Sequence, residues 1–222
     1  AGLSRGLGDV YKRQLLRFTY KKLKEELTVS DSKKLFHEQF PYVIPGLYKR
    51  IVDEMLVELN LLNHQNEFKQ DYLFCIGLTE TFKELTKGYK PEKHLDLLFE
   101  SLCNSTNFKA KEINEISQKS QNEFKDKSLE DVLKLLKEKN NSELYPSRIL
   151  NLGMYILISN SQELKDKSES EINKIITDIF EKLKLSPNKA EKDIGIDKSC
   201  ISKMEQAKDC GVCVVLISGP TR

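Results

Sequence analysis

An all-α fold is predicted for this 222-residue chain on three observations. Apolar residues recur at three- and four-residue intervals in almost every segment, the period of one helix face. Those segments are punctuated by helix signals, Gly ahead of Pro and Ser followed three residues on by an acid. No stretch alternates apolar and polar residues over strand length, and no Asn-Gly or Asp-Gly pair marks a hairpin. The predicted architecture is a multi-helix bundle in two parts. An N-terminal bundle over 28–103 and a smaller C-terminal bundle over 128–209 are joined by a long polar helix or connector over 104–127.

Taken in order, "FPYVIPGLYKR" places Pro41 and Pro45 ahead of a helix. Each proline biases its predecessor away from helical geometry, so an extended lead-in ends near Gly46. Leu47, Ile51, Met55 and Leu59 then repeat every four residues, with Val52, Leu56 and Leu62 widening the stripe. Phe74, Leu78, Phe82 and Leu85 mark the next helix. In "GYKPE", Gly88 stands where that helix should end and Pro91 where another should begin, ahead of Leu95, Leu98, Phe99 and Leu102.

From Asn104 to Lys127 the chain is polar, with a thin stripe of Phe108, Ile113, Ile116 and Phe124, which predicts a solvated connector. Ser128 with Asp131 has capping-box spacing and opens the stripe Leu129, Val132, Leu133, Leu136. "RILNLGMYILI" is apolar nearly all round and predicts a buried central helix. Ser168 with Glu171 repeats the capping signal before Ile172, Ile175, Ile176, Ile179, Phe180 and Leu183. Pro187 takes the first turn of a last helix that includes "KMEQAKD". Gly77 and Gly153 each interrupt a helical pattern at about 1 kcal/mol relative to Ala, which predicts close helix–helix approach at both places.

The two ends break with this pattern. Residues 1–14, "AGLSRGLGDVYKRQ", are read as a non-native leader. Residues 210–222, "CGVCVVLISGPTR", are a doubtful tail whose β-branched run follows a lysine-rich helix abruptly. The formal charge of +2 falls to −1 when both ends are set aside, so the mild basicity belongs to them. That balance leaves no basic field, and nucleic acid is not an expected partner. The longest apolar runs, "VCVVLI" and "YILI", fall far short of the roughly 20 residues of a membrane-spanning helix. Five cysteines, Cys75, Cys103, Cys200, Cys210 and Cys213, are an odd, scattered set expected as reduced thiols in a cytosol-like compartment.

Candidate chemistry is thin. Cys210 and Cys213 match C-x-x-C, but apolar residues follow where a thiol-activating helix is needed. His37, His64 and His94 lie in separate segments, outside any H-E-x-x-H arrangement, and no phosphate-cradling or nucleophile-elbow motif occurs. Glu54 and Glu58 share a helix face at i, i+4, and paired carboxylates can serve acid–base work or a di-metal site. Di-metal bundles also need Glu-x-x-His on companion helices, and Leu61 stands where that His would follow Glu58. The expectation is no catalytic residue and no metal, with Asp53, Glu54 and Glu58 on a solvated or ion-paired face beside Arg50.

Three blocks carry a family resemblance: "TVSDSKKLFHEQFPYVIPGLYKRIVDEMLVELNLL", "GYKPEKHLDLLFESLC" and "SPNKAEKDIGIDKSCISKMEQAKD". They resemble, in order and over about 28–209, the thylakoid formation protein family, the photosystem II biogenesis proteins of cyanobacteria and plastids. Phe40, Pro41, Tyr42, Ile44, Pro45, Tyr48, Arg50, Asp53, Glu54, Glu58 and Leu61 fall on its pattern. The family commonly has His where this chain has Asn60, and often a second proline where it has Gly46. The resemblance implies a non-catalytic, all-α accessory factor of thylakoid formation and photosystem II biogenesis and repair, peripheral on the thylakoid membrane. Plant members carry a transit peptide, and this chain shows none, which favours a cyanobacterial protein on the cytoplasmic side. The partners implied are the membrane FtsH protease and photosystem II assembly or repair intermediates.

On that basis the charged helix face is the expected docking surface, with Tyr48, Lys49, Arg50, Asp53, Glu54 and Glu58 as candidates. The connector and the terminal "KMEQAKD" helix are further candidate contacts. A rival expectation is a carrier that binds chlorophyll or a related tetrapyrrole, a ligand suggested for the family, with no residue here assignable to it.

Overall fold

A computed structural model describes residues 27–125, 127–139, 144–164 and 167–209. The predicted leader and tail, with Cys210 and Cys213, lie outside the described residues. Among those described there are nine α-helices and no strand: α1 Val29–Gln39, α2 Gly46–His64, α3 Tyr72–Leu85, α4 Leu95–Asn104, α5 Ala110–Phe124, α6 Leu129–Lys139, α7 Arg148–Ser159, α8 Glu169–Lys182 and α9 Pro187–Asp209. Two single 3₁₀ turns, Glu92–His94 and Gln162–Leu164, precede α4 and α8. The fold is all-α.

Local chemistry starts these helices where the sequence signals stand. The Asp131 amide donates to the Ser128 hydroxyl at 3.2 Å ahead of α6, and the Ser168 amide donates to the Glu171 carboxylate at 2.9 Å ahead of α8. Each satisfies a donor that the first helical turn leaves open. A third capping box, Thr28 with Asp31, starts α1, a helix for which the periodic stripes of the sequence made no separate case. Asp71 caps α3 by accepting the Phe74 amide at 2.8 Å. Gly88, at φ 77°, takes the left-handed conformation that lets the chain turn back after α3.

The centre of the molecule is the crossing of α3 and α7. A Cβ at Gly77 would lie 1.9 Å from the Ile149 carbonyl oxygen, and one at Gly153 would lie 1.9 Å from the Leu73 carbonyl oxygen. The two glycines predicted to mark close approaches therefore mark the same one, each lying against the backbone one turn before the other. Because the helices meet there backbone to backbone, their side chains spread to both sides. Phe74, Cys75, Leu78 and Ile149 enter one apolar cluster with Phe36, Val52, Leu59 and Leu98. Leu73, Ile76, Leu150 and Met154 enter a second with Leu136, Ile179, Phe180 and Ile194. The predicted parts, 28–103 and 128–209, thus share one central helix pair.

The polar segment 104–127 departs from the expected solvated connector. Its helix α5 packs along α3, with Ile113, Ser117, Ser120 and Phe124 buried. The Thr79 and Ser117 hydroxyls lie 2.7 Å apart in that interface, and Gln121 donates to Glu80 at 3.0 Å. Small hydroxyl residues read as polar in a sequence, yet they pack well between helices when their hydrogen bonds are met there.

Candidate functional site

A groove of about 860 Å³ runs along the outer face of α2 and ends against Tyr145–Arg148, the segment that leads into α7. Helical spacing brings Gly46, Lys49, Arg50, Asp53, Glu54, Val57, Glu58 and Leu61 onto that wall. Pro45 sets the start of this face with an extended backbone at φ −55°, ψ 142°. Leu61, 54% exposed, offers an apolar contact at the far end.

The charges divide into two kinds. Lys33 of α1 reaches Asp53 at 3.1 Å, and Arg50 reaches Glu54 at 2.9 Å along the helix. Both pairs stand in water, where such contacts hold geometry but add little stability. Lys49 is exposed beside them. Glu58 differs: only 21% of its side chain is exposed, and it pairs with the Arg148 Nη2 at 2.8 Å. Burial pushes the Glu58 carboxyl upward, against the pull of the Arg148 guanidinium.

Arg148 ties this wall to the start of α7. Its Nε is buried without a hydrogen-bond partner. Asp197, 9% exposed, is pushed by burial from the ordinary 3.8 up to about 6; Arg148 opposes the rise, while Glu58 and Glu84 add to it. One turn earlier on α9, Asp193 accepts a hydrogen bond from the Asn151 amide at 2.7 Å.

Of the six residues expected on the docking face, five line the open groove: Lys49, Arg50, Asp53, Glu54 and Glu58. Tyr48 does not. It is 3% exposed, turns inward, donates its hydroxyl to the Lys87 carbonyl at 3.1 Å and meets Tyr89 edge to face. A phenol on the margin of an apolar stripe is drawn in once a carbonyl is within reach. Glu58 lines the groove but is committed to Arg148, so it joins elements rather than presenting a free charge. Asn60, at the position where the family commonly has His, is buried and donates both amide hydrogens, to Leu27 O at 2.7 Å and Ser32 Oγ at 2.8 Å. That position faces the packing of α1, away from the groove.

Sequence reasoning missed Lys33, Tyr145–Arg148, Asp193 and Asp197. Arg148 did leave a signal: it is a cation in the first turn of α7, where the helix dipole disfavours positive charge. Such an arginine calls for carboxylates from other elements. Elsewhere, His64 Nδ1 lies 2.6 Å from its own helix carbonyl at Asn60, and His94 stacks on Tyr42 at 3.9 Å. Cys75 and Cys103 are buried, and burial pushes the Cys75 thiol up to about 12, far from a reactive thiolate.

Fold and groove together define an all-α protein with an open, ion-paired helix face. Among the described residues it has no group of three or more metal-ligating side chains and no helix long and apolar enough to cross a membrane. The chain belongs to the thylakoid formation protein family, whose sequence model matches residues 28–212. It is similar to Protein Thf1 of Prochlorococcus marinus strain MIT 9312, at 82% identity over 84% of this chain and 93% of that protein. Protein Thf1 of Prochlorococcus marinus subsp. pastoris is 72% identical over the same shares, and that of strain NATL1A is 44% identical over 81% and 92%. The solved structure of Psb29 shares the fold, with a TM-score of 0.72 at 24% identity over 82% of this chain and 92% of that one.

Proposed function

We propose that this chain is a non-catalytic accessory factor of thylakoid formation and photosystem II biogenesis and repair. It works from the thylakoid surface, on the cytoplasmic side, by docking the α2 groove on protein partners, with the membrane FtsH protease first and photosystem II intermediates second. The observation that carries this reading is the open wall of α2. Lys49, the Arg50–Glu54 pair and the Lys33–Asp53 pair occupy the first part of that face and the apolar Val57 and Leu61 follow, over a helix about 28 Å long. A face that sets apolar side chains beside charged ones suits a protein-binding patch, in which the charges set orientation more than affinity.

The test is retention. The immobilised chain is exposed to detergent-solubilised cyanobacterial thylakoids beside a Lys49→Glu/Arg50→Glu variant whose thermal melting matches the parent. Recovery of FtsH subunits by the parent and their loss by the variant is the expected result. A folded variant that keeps every partner would overturn the docking face. Chlorophyll recovered without stoichiometric protein would instead establish the carrier reading.

A further inference from the structure

The face that α2 turns to the groove runs the whole length of the helix. Its lining positions recur from Gly46 through Arg50, Asp53, Val57 and Leu61 to Gln65, at intervals of three and four residues. That is the stripe one helix offers to a second lying along it. An extended peptide is a poor occupant. The α2 backbone is already hydrogen-bonded within its own helix, and among the described residues there is no strand whose edge could pair with a peptide. A helix brings its backbone hydrogen bonds with it, so it loses none on entering the groove.

Charge gives the groove a direction. Three carboxylates line it and each already holds a cation: Asp53 with Lys33, Glu54 with Arg50 and Glu58 with Arg148. Lys49 is the cation left over, with no ion pair among the described residues. It stands one turn into α2, whose first turn carries no acidic residue, so the helix dipole adds to the same positive end. The far end is apolar. Val57 and Leu61 follow Lys49 at about 12 Å and about 18 Å along the axis, and Tyr145, which also meets Phe68 beyond the end of α2, closes that end. A second copy of this chain does not complement this pattern. Paired with itself, α2 sets Lys49 against Lys49 when parallel and against the leucines of the far end when antiparallel.

We propose that the occupant of the groove is an amphipathic helix of a partner protein, with a carboxylate facing Lys49 and apolar side chains about two and three turns away facing Val57 and Leu61. This rests on the α2 docking reading and gives the partner a chemistry. The partner is held as a helix in a groove, and one unpaired cation sets which way it runs.

The experiment places p-benzoylphenylalanine at Gly46 or at Leu61 of the whole chain. Each protein is irradiated with detergent-solubilised cyanobacterial thylakoids, and the joined residues are located by mass spectrometry. A Cβ at Gly46 has nothing within 4 Å, and Leu61 is 54% exposed, so both positions take the probe without disturbing the core. They lie about 22 Å apart along α2. The expected result is one partner segment joined at two sites about 15 residues apart, the helical distance. Sites about seven residues apart, or in two different segments, would overturn the helix while leaving the docking face standing. Joining to a second copy of this chain would overturn it in favour of self-association. Partners retained without joining at either position, or no partner retained, would remove the docking reading and this inference with it. The direction is then tested on the joined segment as a synthetic peptide. Lys49→Glu is expected to weaken its binding about fivefold or more, and a peptide with its acid changed to lysine to recover that loss on the variant. Equal binding of the original peptide by both proteins would overturn the role given to Lys49.

Discussion

α7 makes two contacts of opposite character. Against α3 it meets backbone to backbone through Gly77 and Gly153, with apolar side chains spreading from the crossing into both clusters. Against α9 it meets through Asn151 on Asp193 and Tyr155 beneath the Lys198 ammonium, and Pro146 O just ahead of it accepts from Lys189 at 2.9 Å. The first contact has no slack, because a carbonyl oxygen cannot yield to an added methyl. The second is held by groups whose strength depends on charge state. α7 is therefore fixed by shape on one side and by polar and charged contacts on the other.

Breaking the tight contact has the largest expected effect. Gly77→Ala places a methyl 1.9 Å from the Ile149 oxygen, so the helices must part along their crossing. Overpacking of side chains typically costs 1–3 kcal/mol, and with backbone on the other side more than ~3 kcal/mol is expected. Chemical denaturation should show a large drop in midpoint, and a stability within 1 kcal/mol of the parent would refute the crossing. Gly153→Ala should behave alike, because the contact is symmetrical.

The charged contact should respond less, and in both directions. Arg148→Ala leaves Glu58 without its cation. A fully buried pair loses about 3–5 kcal/mol on such truncation, and at this partly open site ~2 kcal/mol is expected at pH 7.5. That loss should shrink at pH 5, where protons replace the arginine. Asp197→Asn should instead stabilise. Between 3.8 and about 6 the folded chain holds a proton that the unfolded chain has released, so stability falls as pH rises through this window and the loss is complete above it. The asparagine escapes this loss, worth up to ~3 kcal/mol, so its advantage in Tm should be present at pH 7.5 and vanish below pH 4. An advantage that does not change with pH would refute the assignment.

The smallest effect sharpens the contrast. Arg50 is 84% exposed in its pair with Glu54, so Arg50→Ala should leave the melting temperature unchanged within replicate scatter. A clear drop would mean that the outer wall of α2 is structural and not available for docking.

Much of this was legible along the chain. The helical class, the α2 start after Pro45, the caps at Ser128 and Ser168 and the turn at Gly88 all rest on interactions between residues a few positions apart, which a sequence displays directly. Gly77 and Gly153 were legible as close approaches, but not as each other's partner. Five of the six residues expected on the α2 face line an open groove, because an amphipathic helix declares which side is wet. Tyr48 escaped that rule, and the pairing of Glu58 with Arg148 lay outside it. Periodicity reports a direction around the helix axis, and says nothing of a carbonyl at Lys87 or an arginine 90 positions along the chain.

The sequence alone therefore determined the helices, their ends, their inward stripes and the family to which the chain belongs, all of which are local in the chain or shared by its relatives. Tertiary structure alone decided that α5 is packed rather than solvated, that α3 and α7 cross at their glycines, that Arg148 pairs with Glu58 and that Asp197 is buried. These are meetings between distant segments. Their energies depend on which neighbours exclude water from a charge or leave no room for a Cβ, and neither quantity exists until the chain has folded.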